Sequence, residues 1–206
     1  VVRLNRITNG FIYLQVSRGV AHRDHLIPAN ITPTLVIMAR SSNLIAKPTI
    51  RDGVSVITVP DLRWRRRDIK TTQLIANCLA KSDAVKAGAG EAWMVDESGS
   101  ITEGSSSNAW IVTANRELLT RPPSSEILNG ITRRTIIALA KEERLEFHER
   151  GFTTDEALKA SEAFFTSATS LATPVLSIDG IKIGNGKVGP ITKKIQAMYI
   201  KFANSP

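Results

Sequence analysis

The sequence predicts an α and β protein of two domains. Three observations point there. Short apolar, β-prone runs alternate with helical apolar stripes. No regular βαβ period and no internal repeat organises them. A polar break at Asn43 to Pro48 reads as a linker, so a first domain is expected over residues 1–44 and a second over 45–206. No G-x-G-x-x-G is present, so a dinucleotide-binding Rossmann unit is not indicated.

Taken in order, residues 11–17 (Phe-Ile-Tyr-Leu-Gln-Val-Ser) read as a buried strand behind the Asn9-Gly10 turn. Thr34 to Met38 is a second strand. Val54 to Val59 is a third, after the Asp52-Gly53 turn. Thr71 to Ala87 is expected to be a helix, with Leu74, Ile75, Cys78, Leu79 and Val85 near helical spacing and Gly88 as its stop. Ala92 to Val95 and Ala109 to Thr113 are short strands. Thr132 to Arg144 is the clearest helix, with a stripe of Ile136, Ile137, Leu139, Ala140 and Leu145. A short helix follows over Thr154 to Ala160, capped near Thr154 or Asp155. Ala163 to Thr166 is a strand. Val175 to Ile178 and Ile181 to Ile183 form a hairpin around Asp179-Gly180. Pro190 to Phe202 is a final amphipathic helix with Pro190 at an allowed early position.

Composition narrows the function classes. Of 206 residues, 42% are hydrophobic and 22% charged, which suits an ordinary folded chain. The one cysteine, Cys78, allows no intrachain disulfide and no multi-cysteine metal site, and no metal is expected. It fits a reducing compartment, so a cytoplasmic location is expected. No apolar run is long enough for a membrane helix. The 27 basic against 19 acidic residues give a net charge of +8, but only Arg63-Trp64-Arg65-Arg66-Arg67 is dense. Nucleic acid is therefore discounted as a partner, and anionic small molecules remain. The chain opens at Val1-Val2 without a methionine, so an N-terminal part is expected to be missing.

Four segments have a plausible chemical task, each with a plain alternative. Lys70, in Asp68-Ile69-Lys70-Thr71-Thr72, stands at a strand-to-helix transition near several arginines. It is either an amine nucleophile with a lowered pKa or a solvated surface lysine. Leu128-Asn129-Gly130-Ile131-Thr132-Arg133 opens the clearest helix, and its amides suit a phosphate. The alternative is that Asn129 or Thr132 caps the helix. Thr166-Ser167-Ala168-Thr169-Ser170 is a hydroxyl-rich turn that suits an anion or is an ordinary turn. Glu103 lies in a Gly/Ser-rich bend, where a carboxylate can hold a heteroaromatic nitrogen protonated or simply face water.

Their order and spacing carry more than any one of them. Glu103-Gly104-Ser105-Ser106-Ser107-Asn108-Ala109-Trp110, then Leu118-Leu119-Thr120, then Leu128-Asn129-Gly130-Ile131-Thr132-Arg133, resembles the signature of the class IV aminotransferases. Trp110 departs from it, since the family usually has Phe or Tyr there. Tyr13 to Val20, Arg23-Asp24-His25, Arg63-Trp64, Asp68-Ile69-Lys70 and Gly186 to Thr192 look like the D-amino-acid aminotransferase branch. The resemblance spans nearly the whole chain.

The resemblance implies a two-domain fold of type IV with pyridoxal 5'-phosphate as cofactor. Residues 1–44 are then the remainder of a small α/β sandwich domain, and 45–206 a large cofactor-binding α/β pseudo-barrel domain. It implies transamination between D-amino acids and 2-oxo acids through a Schiff base on Lys70. By the same resemblance Glu103 pairs with the pyridinium nitrogen and Leu128 packs on one ring face. Ile131 and Thr132 bind the phosphate, as do Ser167, Ala168 and Thr169. Ala168 stands where relatives often carry a hydroxyl; that loss costs about one hydrogen bond, ~0.5–1.5 kcal/mol. Arg23 and His25 resemble the pair that holds the substrate carboxylate, a task the planar guanidinium fork suits. A homodimer is expected, and so is a chain that is not by itself a complete active enzyme. The rivals are a branched-chain aminotransferase, an aminodeoxychorismate lyase and a cofactor-free binding module.

Overall fold

A computed structural model describes residues 1–204. The chain forms two compact units, Val1–Ala46 and the remainder from Lys47 onward. In the first, β1 (Gly10–Ser17) and β2 (Thr34–Ser41) pair antiparallel from Gly10 opposite Ser41 to Ser17 opposite Thr34. The expectation that residues 11–17 are buried does not hold within this unit. Ile12, Leu14 and Val16 are exposed on β1, because a two-stranded ribbon has no third layer to cover its faces.

The second unit is built on a nine-stranded mixed sheet in the order β5-β4-β3-β10-β9-β6-β7-β8, with β11 (Ile181–Lys182) paired to β10. The strands are β3 (Val54–Pro60), β4 (Glu91–Val95), β5 (Ile101–Gly104), β6 (Asn108–Val112), β7 (Leu118–Thr120), β8 (Phe147–Glu149), β9 (Glu162–Ser167) and β10 (Leu171–Ile178). The sheet curls until its two edges approach. The Ile101 amide donates to the Phe152 carbonyl at 2.9 Å, and Ser100 bridges Thr153. A half-barrel results. β5, β7 and β8 have only four, three and three residues, too short for a period to show in the sequence.

Five helices cover this unit's sheet or lead into it: α1 (Pro48–Asp52), α2 (Ile75–Lys86), α3 (Ile131–Glu142), α4 (Thr154–Leu158) and α5 (Pro190–Ala203). The segment expected to be linker starts α1, with Pro48 in its first turn. α2 begins four residues later than its apolar pattern suggests. Thr71 Oγ1 accepts from the Gln73 amide at 3.0 Å and the Thr72 carbonyl from Leu74, so turn bonds take the backbone first. Its buried face is Ala80 and Ala84, against Ala92 and Met94. The larger apolar residues Ile75, Leu79 and Val85 are exposed, and so is Cys78, which the sequence pattern places on a packed face. α4 is capped by Thr153 rather than Thr154 or Asp155: Thr153 accepts from the Glu156 amide while Glu156 accepts from the Thr153 amide.

Besides the small cluster under α2, two cores flank the sheet. One gathers Trp93, Ile101, Phe152, Phe165 and Ile178. The other stacks Trp110 on Phe164, ring centroids 5.5 Å apart, under Ile136, Ala140, Ile191 and Ile195 from α3 and α5. Trp93, Trp110 and Phe164 are fully buried, whereas Trp64 is exposed. Glu162 fixes α5 by accepting from the Ile191 amide (2.9 Å), the Thr192 amide and the Thr192 hydroxyl (both 2.7 Å). No described helix is long and apolar enough to cross a membrane.

Candidate active site

The curl of the sheet brings the end of β5, the start of β6 and the approach to α3 together. Gly104 closes the bend between the two strands, its amide donating to the Ser107 carbonyl at 2.7 Å. A Cβ there would stand 2.2 Å from the Ser107 hydroxyl, so only glycine fits. The bend turns Glu103 inward, and its side chain is 5% exposed. Glu103 Oε2 accepts from Asn108 Nδ2 (2.9 Å) and from the Leu128 amide (3.1 Å). Oε1 accepts from the same amide (3.2 Å) and from Arg63 Nη1 in a short charge-assisted bond. Asn108 Nδ2 also donates to the Leu128 carbonyl at 2.8 Å, which ties strand to helix approach. Burial outweighs the Arg63 guanidinium and lifts the Glu103 carboxyl to about 7. Glu103 is therefore a buried, hydrogen-bonded carboxyl already paired with one cation, not the solvated loop glutamate of the plain alternative.

α3 starts at Gly130 with no side chain capping it. Asn129, one of the two expected caps, turns instead to Arg133 Nη1 at 3.0 Å. Thr132, the other, is 2% exposed, and its hydroxyl is buried without a hydrogen-bond partner. An uncapped helix start leaves its first amides open and favours an anion. Ile131 is exposed beside it, and Leu128 is half-buried. Across β6, Asn108 lies opposite Thr166 at the end of β9, so the Ser167 to Ser170 turn opens from the same end of the sheet. Ser167 Oγ lies 2.6 Å from Ser170 Oγ; Ala168 and Thr169 are exposed.

Lys70 follows β3 through the segment that holds Arg63. It is exposed, and its ammonium makes no hydrogen bond or ion pair with a described residue. Arg23 and His25 lie in the loop between β1 and β2 of the first unit, both exposed, where the Asp24 carboxylate accepts from the His25 amide at 2.6 Å. Sequence reasoning passed over Asp61. This carboxylate is buried, takes both Arg63 Nε (2.9 Å) and Nη2 (2.8 Å), and accepts from Thr102 Oγ1 at 2.7 Å. Burial alone would raise its pKa, but the bonds and charge of Arg63 and the Thr102 bond hold it below the ordinary carboxylate value. A lone acid ahead of four arginines was the available signal.

The sequence matches the amino-transferase class IV family over residues 1–178. The chain belongs to the class IV aminotransferases. Among its relatives, the D-alanine aminotransferase of Staphylococcus haemolyticus is 38% identical over 208 residues, covering 100% of this chain and 72% of that protein. The D-alanine aminotransferase of Bacillus licheniformis is 42% identical over 198 residues, covering 95% and 68%. In solved structures, the Escherichia coli branched-chain amino acid aminotransferase is similar with a TM-score of 0.86 at 29% identity, covering 98% of this chain and 68% of that one. The holo form of the Thermobaculum terrenum branched-chain enzyme, with pyridoxal phosphate, gives 0.84 at 25% identity, covering 98% and 66%.

Class IV aminotransferases use pyridoxal phosphate, and the residues present fit it. The orphaned Thr132 hydroxyl beside open helix amides suits a phosphate. The buried Glu103 carboxylate suits a protonated ring nitrogen, and the Lys70 amine, which has no partner among the described residues, suits a carbonyl carbon.

Proposed function

We propose that this class IV aminotransferase exchanges amino groups between D-amino acids, D-alanine in particular, and 2-oxo acids. The observation that carries the substrate choice is the identity of 38–42% to D-alanine aminotransferases over 95% or more of the chain. The Arg23-Asp24-His25 segment falls inside that span. When bound, pyridoxal phosphate supplies the electron sink that lets the Cα proton leave. Lys70 Nζ anchors the cofactor and then carries that proton; a primary amine with no partner of its own is free to take it up and return it. Glu103 holds its charge against the ring nitrogen while Asn108 and the Leu128 amide keep the carboxylate oriented. Leu128 would pack on one ring face. The Thr132 hydroxyl and the amides of Ile131 and Thr132 hold the phosphate, with Ser167, Ala168 and Thr169 as the second loop around it. Arg23 and His25 grip the substrate carboxylate.

On this view residues 1–44 belong to a small domain and 45–206 to the cofactor-binding domain. The exposed Ile75, Leu79 and Val85 of α2 support a homodimer, and the single cysteine supports a cytoplasmic location. A branched-chain aminotransferase is the second reading, because the similar solved structures named above are branched-chain enzymes. Assays with D-alanine, L-leucine and aminodeoxychorismate, side by side, decide among them. D-alanine is expected to turn over fastest; turnover of L-leucine without D-alanine refutes the substrate assignment. Lys70→Ala is expected to remove the visible absorbance of the lysine-bound cofactor, and its persistence refutes the lysine assignment.

A further inference from the structure

Glu103 and three charges behind it form a closed circuit. Asp61 has a fully buried carboxylate held by Arg63 on one side and by Arg67 Nη2 at 3.3 Å on the other. Arg63 passes on to Glu103. Glu103 accepts from the Leu128 amide, and three residues earlier the Ser125 carbonyl accepts from the Arg67 amide at 2.9 Å. Arg67 then returns to Asp61. Two carboxylates and two guanidiniums balance in charge. Lys70 lies three residues beyond Arg67 on the same segment.

Stability alone is a poor reason for this arrangement. Desolvating four charges costs as much as, or more than, apolar residues of the same volume would. Asp61 touches neither Lys70 nor the phosphate segments, yet both the acceptor and the lysine segment hang from it. We propose that Asp61 is a positioning residue of the aminotransferase site: acting through Arg63 and Arg67, it sets the charge that Glu103 presents and the placement of the Lys70 segment. This rests on the roles given to Lys70 and Glu103 above. The neighbouring charged groups include Arg121, whose Nη1 donates to the Ile101 carbonyl and which is paired with Asp96 and Glu126, and the buried Arg133 of α3, which is paired with Glu149 and donates to the Arg121 carbonyl. Removing the Asp61 charge therefore leaves Arg63 with Glu103 as its one carboxylate partner and leaves the Arg67 guanidinium, which Asp61 held, uncompensated behind it. The site becomes more positive, and protons bound there leave at lower pH.

The test reads the visible absorbance of bound pyridoxal phosphate against pH, and the cofactor dissociation constant, in the holoenzyme. Asp61→Asn is expected to move the absorbance midpoint about one unit toward acid, a tenfold change in proton affinity. Cofactor affinity is expected to fall about tenfold with it. Asp61→Glu restores the charge and should return the midpoint toward wild type, while Thr102→Val removes a bond to Asp61 without a charge and should leave it in place. A superimposable Asp61→Asn profile overturns the proposal; so does an equal shift in Asp61→Glu, which would make the effect one of packing. Arg67→Gln, at a partly exposed position, keeps the proposal testable if Asp61→Asn does not fold. It removes a cation from the same circuit and must move the midpoint toward base; no movement, or movement toward acid, overturns the proposal. Failure of the site assignment itself looks different, because the wild-type absorbance would then survive Lys70→Ala.

Discussion

Replacing Glu103 by glutamine in the cofactor-free protein should take away a loss of stability that rising pH causes. Burial raises the Glu103 carboxyl from 4.5 to about 7. The folded protein thus binds one more proton than the unfolded chain between those values. A raised pKa contributes stability that is present below the unfolded value and is lost as pH rises through the folded one. The loss over that window is about 3 kcal/mol at ~1.4 kcal/mol per unit. Glutamine does not titrate. Its amide nitrogen, however, meets the Asn108 or Leu128 donor that Oε2 accepts from, a mismatch costing roughly 1–3 kcal/mol. Glu103→Gln should therefore be less stable than wild type at pH 4.5 and draw level with it or pass it by pH 8. Urea unfolding at half-unit steps of pH measures the difference directly. Two parallel curves across that range would refute the raised pKa and the account of burial as its cause.

Thr132→Val should leave the cofactor-free protein as stable as wild type, or up to about 1 kcal/mol more stable, because it removes a buried hydroxyl without a partner. Its affinity for pyridoxal phosphate should fall about tenfold, the worth of one hydrogen bond to a charged group; urea unfolding reads the first part of that split and calorimetric titration the second. Gly130→Ala places a Cβ 2.5 Å from Asn108 Oδ1, whose amide is already engaged with Glu103 and Leu128. It should cost about 1–3 kcal/mol in thermal unfolding and weaken cofactor binding in the same protein.

How much of this was legible without coordinates differs from element to element. α3 and α5 were plain, because a long apolar stripe with a period of 3.6 fits a helix and little else. The strands β5, β7 and β8 were not. Three or four residues carry no period, and only their neighbours make them strands. α2 misled in a more instructive way. Its large apolar residues suggest a packed face, but Ala80 and Ala84 are what the sheet can approach closely. A helix can turn its small residues inward where it packs closely on a sheet, and hydropathy alone does not show which face will be used. Within the first unit, the apolar residues of β1 fit a strand, but whether a strand is covered depends on what pairs and packs beside it.

The site divides in the same manner. Local chemistry determined which residues are eligible: an amine at Lys70, a carboxylate at Glu103, and a glycine ahead of an amphipathic helix at Gly130. These are properties of residue type and short spacing. Tertiary structure alone decided which of them are tuned. Glu103 is raised because the curled sheet buries it, and it is restrained because Arg63, forty residues earlier, is carried to it by the end of β3. Thr132 is an orphan because the start of α3 buries its hydroxyl where no described residue offers a hydrogen-bond partner. Asp61 matters only because Arg63, Arg67 and Thr102 converge on it. Burial and long-range pairing set the electrostatics, and both come from strands that are distant in sequence and adjacent in space.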